Sequence, residues 1–351
     1  MKNSTETFFH EGFGDIEDEV RFWYDLQNII RPIDVYLDYF NFSISVVGVI
    51  ANIFHLIVLG RKSMRALTVN TFMMGIAICE FVRMMCYVIM RIPKYYRKYQ
   101  KFKFGRFCVP PDSYLTICIV NNSSILFNSI QDPLISIAVA MAVLRTVSLK
   151  YPMSSKILLI IRGITIPFWA LDFSQTQVTV ESDPWRLPDD CKHFAEGRFY
   201  FSTTTSLQNQ GFVLLIQGIL FKLILSLVLP IATLILIHDI KMRNKVSSVG
   251  SSASNDRSTN LVVFMTISFI IALAPQGVLY LIKFTYKNDE GVVSTIETLN
   301  NFHAFVPLAN GTIHIIINFF ISSMYRRTVN ELLGLKTEHF VAHSVIQPTI
   351  I

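Results

Sequence analysis

Apolar residues along this chain collect in long runs separated by short polar stretches. A bilayer-crossing helix needs roughly 20 predominantly apolar residues. Seven segments meet that requirement: residues 36–59, 69–90, 125–149, 157–180, 211–237, 261–284 and 299–321. Past the seventh, residues 323–334 place Val329, Leu332 and Leu333 on one helical face and Arg326, Arg327 and Asn330 elsewhere, the pattern of an amphipathic helix lying at a membrane interface and ending at Gly334. The pattern predicts an all-α membrane protein: an acidic N-terminal tail over residues 1–35, a seven-transmembrane helix bundle over 36–321, and an amphipathic helix with a short tail over 322–351. No positively charged start precedes an apolar block ahead of Tyr36, so the first span is expected to serve as the signal anchor.

Composition agrees and narrows the classes. Of 351 residues 52% are hydrophobic, 13% aromatic and only 16% charged, with mean hydropathy +0.44. A soluble domain runs near about 25% charged, and 28 phenylalanines are hard to bury in one water-soluble core of this size. Disorder is excluded on the same ground. The excess of 31 Lys and Arg over 25 Asp and Glu gives +6, but it is scattered between apolar runs without the continuous basic face that nucleic acid requires. Five cysteines lack metal-ligand spacing, and neither a metal site, an organic cofactor motif nor a catalytic constellation is legible. Charge leaves orientation open. The segment after span two carries Arg91, Lys94, Arg97, Lys98, Lys101, Lys103 and Arg106 and reads as a basic, aromatic interfacial loop, whereas the acidic tail and the Asn3 glycosylation acceptor in Asn3-Ser4-Thr5 argue for an N-terminus outside.

Short strings along the spans resemble rhodopsin-like G-protein-coupled receptors, and among them the nematode serpentine receptor class W, related to FMRFamide-type peptide receptors. The carriers are residues 48–59 (Gly48 to Leu59) with Arg61-Lys62-Ser63-Met64-Arg65, Gly75-Ile76-Ala77-Ile78-Cys79-Glu80, Cys108-Val109-Pro110-Pro111-Asp112-Ser113-Tyr114, Met141-Ala142-Val143-Leu144-Arg145-Thr146, Phe264 to Phe269, and Asn310-Gly311-Thr312-Ile313-His314 followed by Ser322 to Arg326. The resemblance implies a seven-helix receptor with its N-terminus outside the plasma membrane, a cytoplasmic helix after span seven, and a heterotrimeric G protein as partner. It places Arg145 at the inner end of span three, where the arginine meets the G protein. It also departs from the family pattern: Glu80 stands where an Asp is usual, and Gln131-Asp132-Pro133-Leu134 replaces the usual span-three string. Sodium in related receptors uses the span-two Asp, a span-three Ser and a span-seven Asn, of which Asn310 alone remains, so no sodium dependence is expected. The resemblance further favours a disulfide between Cys108 and Cys191 over a pairing that uses Cys118.

Within the spans, Glu80 and Arg83 lie three apart on one helical face, and Asp132 falls at a depth similar to that of Arg83. Ionisable groups at such depth require partners. A network of Arg83 with Glu80 or Asp132 is expected, acting as a packing lock or as a switch together with Asn310. Asn128, Gln131 and Asp132 form a polar stripe expected to face the bundle interior, with Gln276, Tyr280 and His303 completing a ligand pocket. Pro275 in span six is expected to act as a hinge. Residues 247–258, rich in serine, read as a flexible loop. The reading that follows is a receptor that carries an extracellular peptide or small-molecule signal, of chemosensory or FMRFamide-like type, across the bilayer. The alternative is a seven-span ligand-gated channel or transporter of chemosensory type, against which stands the lack of an internal repeat.

Overall fold

The computed structural model describes residues 18–65, 68–105, 107–131, 134, 137, 139, 176–185, 191, 199–206, 223–246, 252–286 and 288–335. Asn3, Asp132 and Arg145 lie outside the described residues. Nine helices and one hairpin are described: α1 Asp18–Leu59, α2 Lys62–Arg65, α3 Thr68–Phe104, α4 Tyr114–Ser129, β1 Thr176–Trp185, β2 Phe199–Ser206, α5 Leu225–Val246, α6 Ser252–Thr285, α7 Glu290–His303, α8 Phe305–Ile321 and α9 Ser323–Leu332. Among the described residues four helical stretches are long and apolar enough to cross a membrane: Arg21–Leu59, Asn70–Phe104, Thr266–Thr285 and Glu290–Ile321. Their outward faces carry Ile50, Ile57, Ile78, Ile271 and Phe320, all exposed. Such a surface is stable in lipid, where backbone polar groups are satisfied within each helix.

The helices overrun the apolar segments that announce them. α1 starts at Asp18, well ahead of Tyr36, and its 42 residues reach about 63 Å. That extension packs on α7, where Gln27 Nε2 donates to Ser294 Oγ at 3.0 Å and Thr295 Oγ1 to the Trp23 carbonyl at 3.3 Å. α3 continues through the basic segment expected as a loop and stops only at Phe104, before Gly105 at φ 93°. Lys, Arg and Gln are good helix formers, and polarity ends a lipid span without ending a helix. α6 begins at Ser252, so part of the serine-rich segment expected as a flexible loop is helical. Span seven is broken into α7 and α8 at Ala304, because Pro307 has no N–H for the His303 carbonyl.

The described chain is mostly helical, and the all-α expectation is corrected at one hairpin. Residues 176–180, assigned to the end of span four, form the first half of β1, which pairs antiparallel with β2 from Thr176↔Ser206 to Trp185↔Phe199, with an irregularity between Val180 and Pro184. Thr and Val alternate here, so the segment has the period of a strand, and Pro184 sits at the bulge where a ladder bond is dispensable. Both strands lie against α4.

The main core sits toward the end of the bundle that holds α2 and α9. Val58, Leu59, Met64, Met73, Ile76, Leu134, Leu229, Phe269, Ala272 and Tyr325 are buried there. α9 docks through Tyr325, Thr328 and Val329 while Arg327 and Glu331 pair on its outer face at 2.9 Å. Ser322 caps its start by accepting from the Tyr325 N–H at 3.2 Å, and Gly334 at φ 67° terminates it.

Candidate functional site

The polar residues that the spans bury converge where α1, α3 and α8 meet. Glu80 and Arg83 are each 1% exposed. One guanidinium nitrogen of Arg83 donates both to Glu80 Oε2 and to the backbone carbonyl of Pro307 on α8. The expected network is therefore an intrahelical pair that reaches a neighbouring backbone, and Asp132 lies outside the described residues. Gly311 makes the approach possible: a Cβ there would lie 2.4 Å from Glu80 Oε2 and 2.7 Å from Met84 Cε. On α1, Asn52 Nδ2 donates to the Gly48 carbonyl at 2.9 Å and reaches the Gly311 carbonyl at 3.5 Å. Asn310 is buried beside this contact, with no partner for its Oδ1 among the described residues. One turn further, His314 packs on Phe269 with ring centroids 5.0 Å apart, and neither ring nitrogen has a described partner.

This arrangement constrains chemistry. Arg83 holds Glu80 Oε2, Glu80 Oε1 is buried without a partner among the described residues, and Leu134, 1% exposed, contributes no oxygen to the core. A charge pair in such a setting is stable only while both partners and the Pro307 carbonyl stay in place. It therefore fixes the spacing of α3 and α8. Below it, His55 Nδ1 and the Tyr325 hydroxyl are 2.8 Å apart, which ties α1 to α9. Burial pushes the Tyr325 phenol up from its ordinary value, so it remains neutral. Sequence reasoning missed this His–Tyr contact, because the two residues are far apart in the chain and each alone reads as core.

The proposed ligand-site residues are dispersed in character. Gln131 and Gln276 are buried, each with an Oε1 that has no described partner, and Tyr280 is buried as well, while His303 is half-buried. Asn128 is exposed. Regular α4 ends at Ser129, and Ile130 caps it in helical conformation with its N–H donating to the Leu126 carbonyl at 2.9 Å. Pro275 is an exposed interior residue of α6.

At the opposite end from α9, Cys108 and Cys191 form a disulfide that closes 83 residues of chain, and Cys118 is free. Cys191 lies between β1 and β2, so the bond ties the hairpin to the α3–α4 connection. Beside it, a cavity of about 610 Å3 opens between α3 and α4. Its rim is basic. Arg97 pairs with Asp112 at 2.6 Å and Lys94 with Asp38 at 2.8 Å. Asp38 also receives Arg91 at 3.0 Å, and Tyr39 stacks on Tyr95 nearby.

A family model for the serpentine type 7TM GPCR chemoreceptor Srw matches residues 39–336. The chain belongs to the Srw chemoreceptor family. No curated protein matches it. As an Srw protein it is a multi-pass membrane protein of the chemosensory GPCR type, and the four apolar helices agree with that. The matched segment contains the whole Glu80–Arg83–Gly311 contact and both disulfide cysteines.

Proposed function

We propose that this protein is a plasma-membrane receptor of seven spans in which an extracellular peptide or small molecule shifts the bundle toward a state that binds a heterotrimeric G protein. The observation that carries the reading is the Srw family match over residues 39–336. With the N-terminus outside, the disulfide and the α3–α4 cavity face the exterior, and α9 lies at the cytoplasmic interface. Arg145 is the residue assigned to G-protein contact. Ligand action requires different contacts in the two states, and the Arg83 link from α3 to the Pro307 carbonyl of α8 is an element whose breaking or making would distinguish them. Asn128, Gln131, Asp132, Gln276, Tyr280 and His303 remain the proposed residues of the ligand path, with Asn128 at its edge, and Pro275 and Asn310 are the proposed hinge positions.

The test is a screen of small organic acids and peptides on cells expressing the chain, with nucleotide exchange as the readout. Arg145→Ala is expected to abolish exchange while ligand binding persists, since it acts at the other membrane face. Unchanged exchange in that variant removes the assignment, and a ligand-gated current that needs no G protein replaces the receptor reading with the channel. Glycan mapping at Asn3 reports on orientation, and a glycan there is expected.

A further inference from the structure

The α3–α4 cavity combines an apolar floor with an unbalanced positive rim. Met90 and Pro93 of α3 face Ile117 and Val120 of α4 across it. The rim cations come from one helical face of α3: Lys94, Arg97, Lys98 and Lys101 recur every three or four residues. The acids nearby are already engaged. Asp38 is shared by Arg91 and Lys94, Asp34 lies within electrostatic reach of the same two cations, and Asp112 takes Arg97. Among the described residues Lys98 Nζ meets only the Tyr39 hydroxyl at 2.6 Å and the face of its ring at 5.0 Å. Lys101 has no anionic partner among the described residues. Lys98 and Lys101 thus line a volume inside the roughly 300–1,000 Å3 typical of small-ligand pockets.

We propose that this cavity binds a small amphipathic anion, its acid group held by Lys98 and Lys101 and its apolar part lying on Met90, Pro93, Ile117 and Val120. A carboxylate or similar group accepts charge-assisted hydrogen bonds from the lysines, and an apolar chain or ring fills a floor that water occupies poorly. The same chemistry is offered by an anionic lipid headgroup and by a free acid. The free acid is the occupant assigned. The exposed aromatics Tyr96, Tyr99, Phe102 and Phe107 set this part of α3 at the interface, and anionic lipid is concentrated in the cytoplasmic leaflet, the far side in the orientation proposed above. The proposal rests on the receptor reading for that orientation alone.

The test uses the full chain in phosphatidylcholine nanodiscs with decanoate as probe and decanol as its uncharged counterpart. Saturable decanoate binding that decanol does not displace is expected. The double variant Lys98→Gln with Lys101→Gln should weaken it roughly tenfold at unchanged melting temperature. Lys98→Arg with Lys101→Arg should retain it, and so should Lys283→Gln, whose lysine pairs with Glu297 away from the cavity. Absence of saturable binding, equal displacement by decanol, or a Gln double variant within about twofold of the parent overturns the proposal. Suppression of decanoate binding by phosphatidylserine in the nanodisc assigns the cavity to a headgroup and overturns the free-acid occupant. Nucleotide exchange measured on the same sample separates the two claims: binding without exchange counts against the receptor reading and leaves the cavity assignment standing.

Discussion

α3 carries two ion-pair systems, one in its membrane-buried middle and one on its outer extension, and the same residue types behave differently in each. Arg83 and Glu80 are 1% exposed and bonded to each other and to the backbone of α8. Arg97 and Asp112 are 30% and 35% exposed, and Lys94 is 57% exposed. In the buried pair, desolvation is large and is offset by the partner charge, so loss of one partner strands a charge in a medium that cannot solvate it. On the outer extension water screens the charges, each pair contributes little, and unpaired lysines remain usable for recognition. The buried system sets helix spacing and the outer one is free to meet a ligand.

Removing one buried partner is the strongest way to break this comparison. Arg83→Met should cost about 3–5 kcal/mol and lower surface expression, because Glu80 is left buried without its cation. The double variant Arg83→Met with Glu80→Met should recover much of that loss, and thermal denaturation of both in detergent decides the matter. If the single variant is as stable as the parent, the pair is not a lock.

The covalent tie at the outer end comes next. Cys191→Ser should cost about 2–4 kcal/mol through release of an 83-residue closure, read as a lower melting temperature. The buried Arg83 contact should be untouched, so the double variant with Arg83→Met is expected to be additive.

Gly311→Ala probes the buried contact without altering charge. The added Cβ meets a carboxylate that Arg83 holds in place, so a loss of about 1–3 kcal/mol is expected from overpacking. The parallel change Gly48→Ala meets the thioether of Met84, a flexible side chain, and should cost less. Equal melting temperatures for the two alanine variants would show that Glu80 is not held.

The smallest effect belongs to the outer pair. Asp112→Asn should change stability by less than about 1 kcal/mol, since both partners are partly solvated. It should strengthen decanoate binding by freeing Arg97, which a titration at fixed ionic strength would register.

How much of this was legible varies residue by residue. Glu80 and Arg83 stand out as charges inside apolar runs, and their spacing of three puts them on one face, so their mutual contact is readable. The third partner is not, because a backbone carbonyl has no signature in sequence and Pro307 is far along the chain. Asn128 and Gln131 were read as one inward stripe, but Asn128 is exposed and Gln131 buried, a difference set by how α4 packs. The basic outer segment was read as a loop, since hydropathy reports where lipid ends and says nothing of where backbone hydrogen bonding ends.

The amino-acid sequence alone determined the membrane class, the Srw resemblance, the apolar runs and the helix terminator Gly334, because transfer to lipid and local backbone preference are properties of short segments that add along the chain. Tertiary structure alone decided that Arg83 reaches the Pro307 carbonyl, that Gly311 must lack a side chain, that His55 meets Tyr325, and that the α3 lysines border a cavity against α4. Each of these is a contact between segments distant in the chain, and its existence depends on how whole helices pack, which no local pattern encodes.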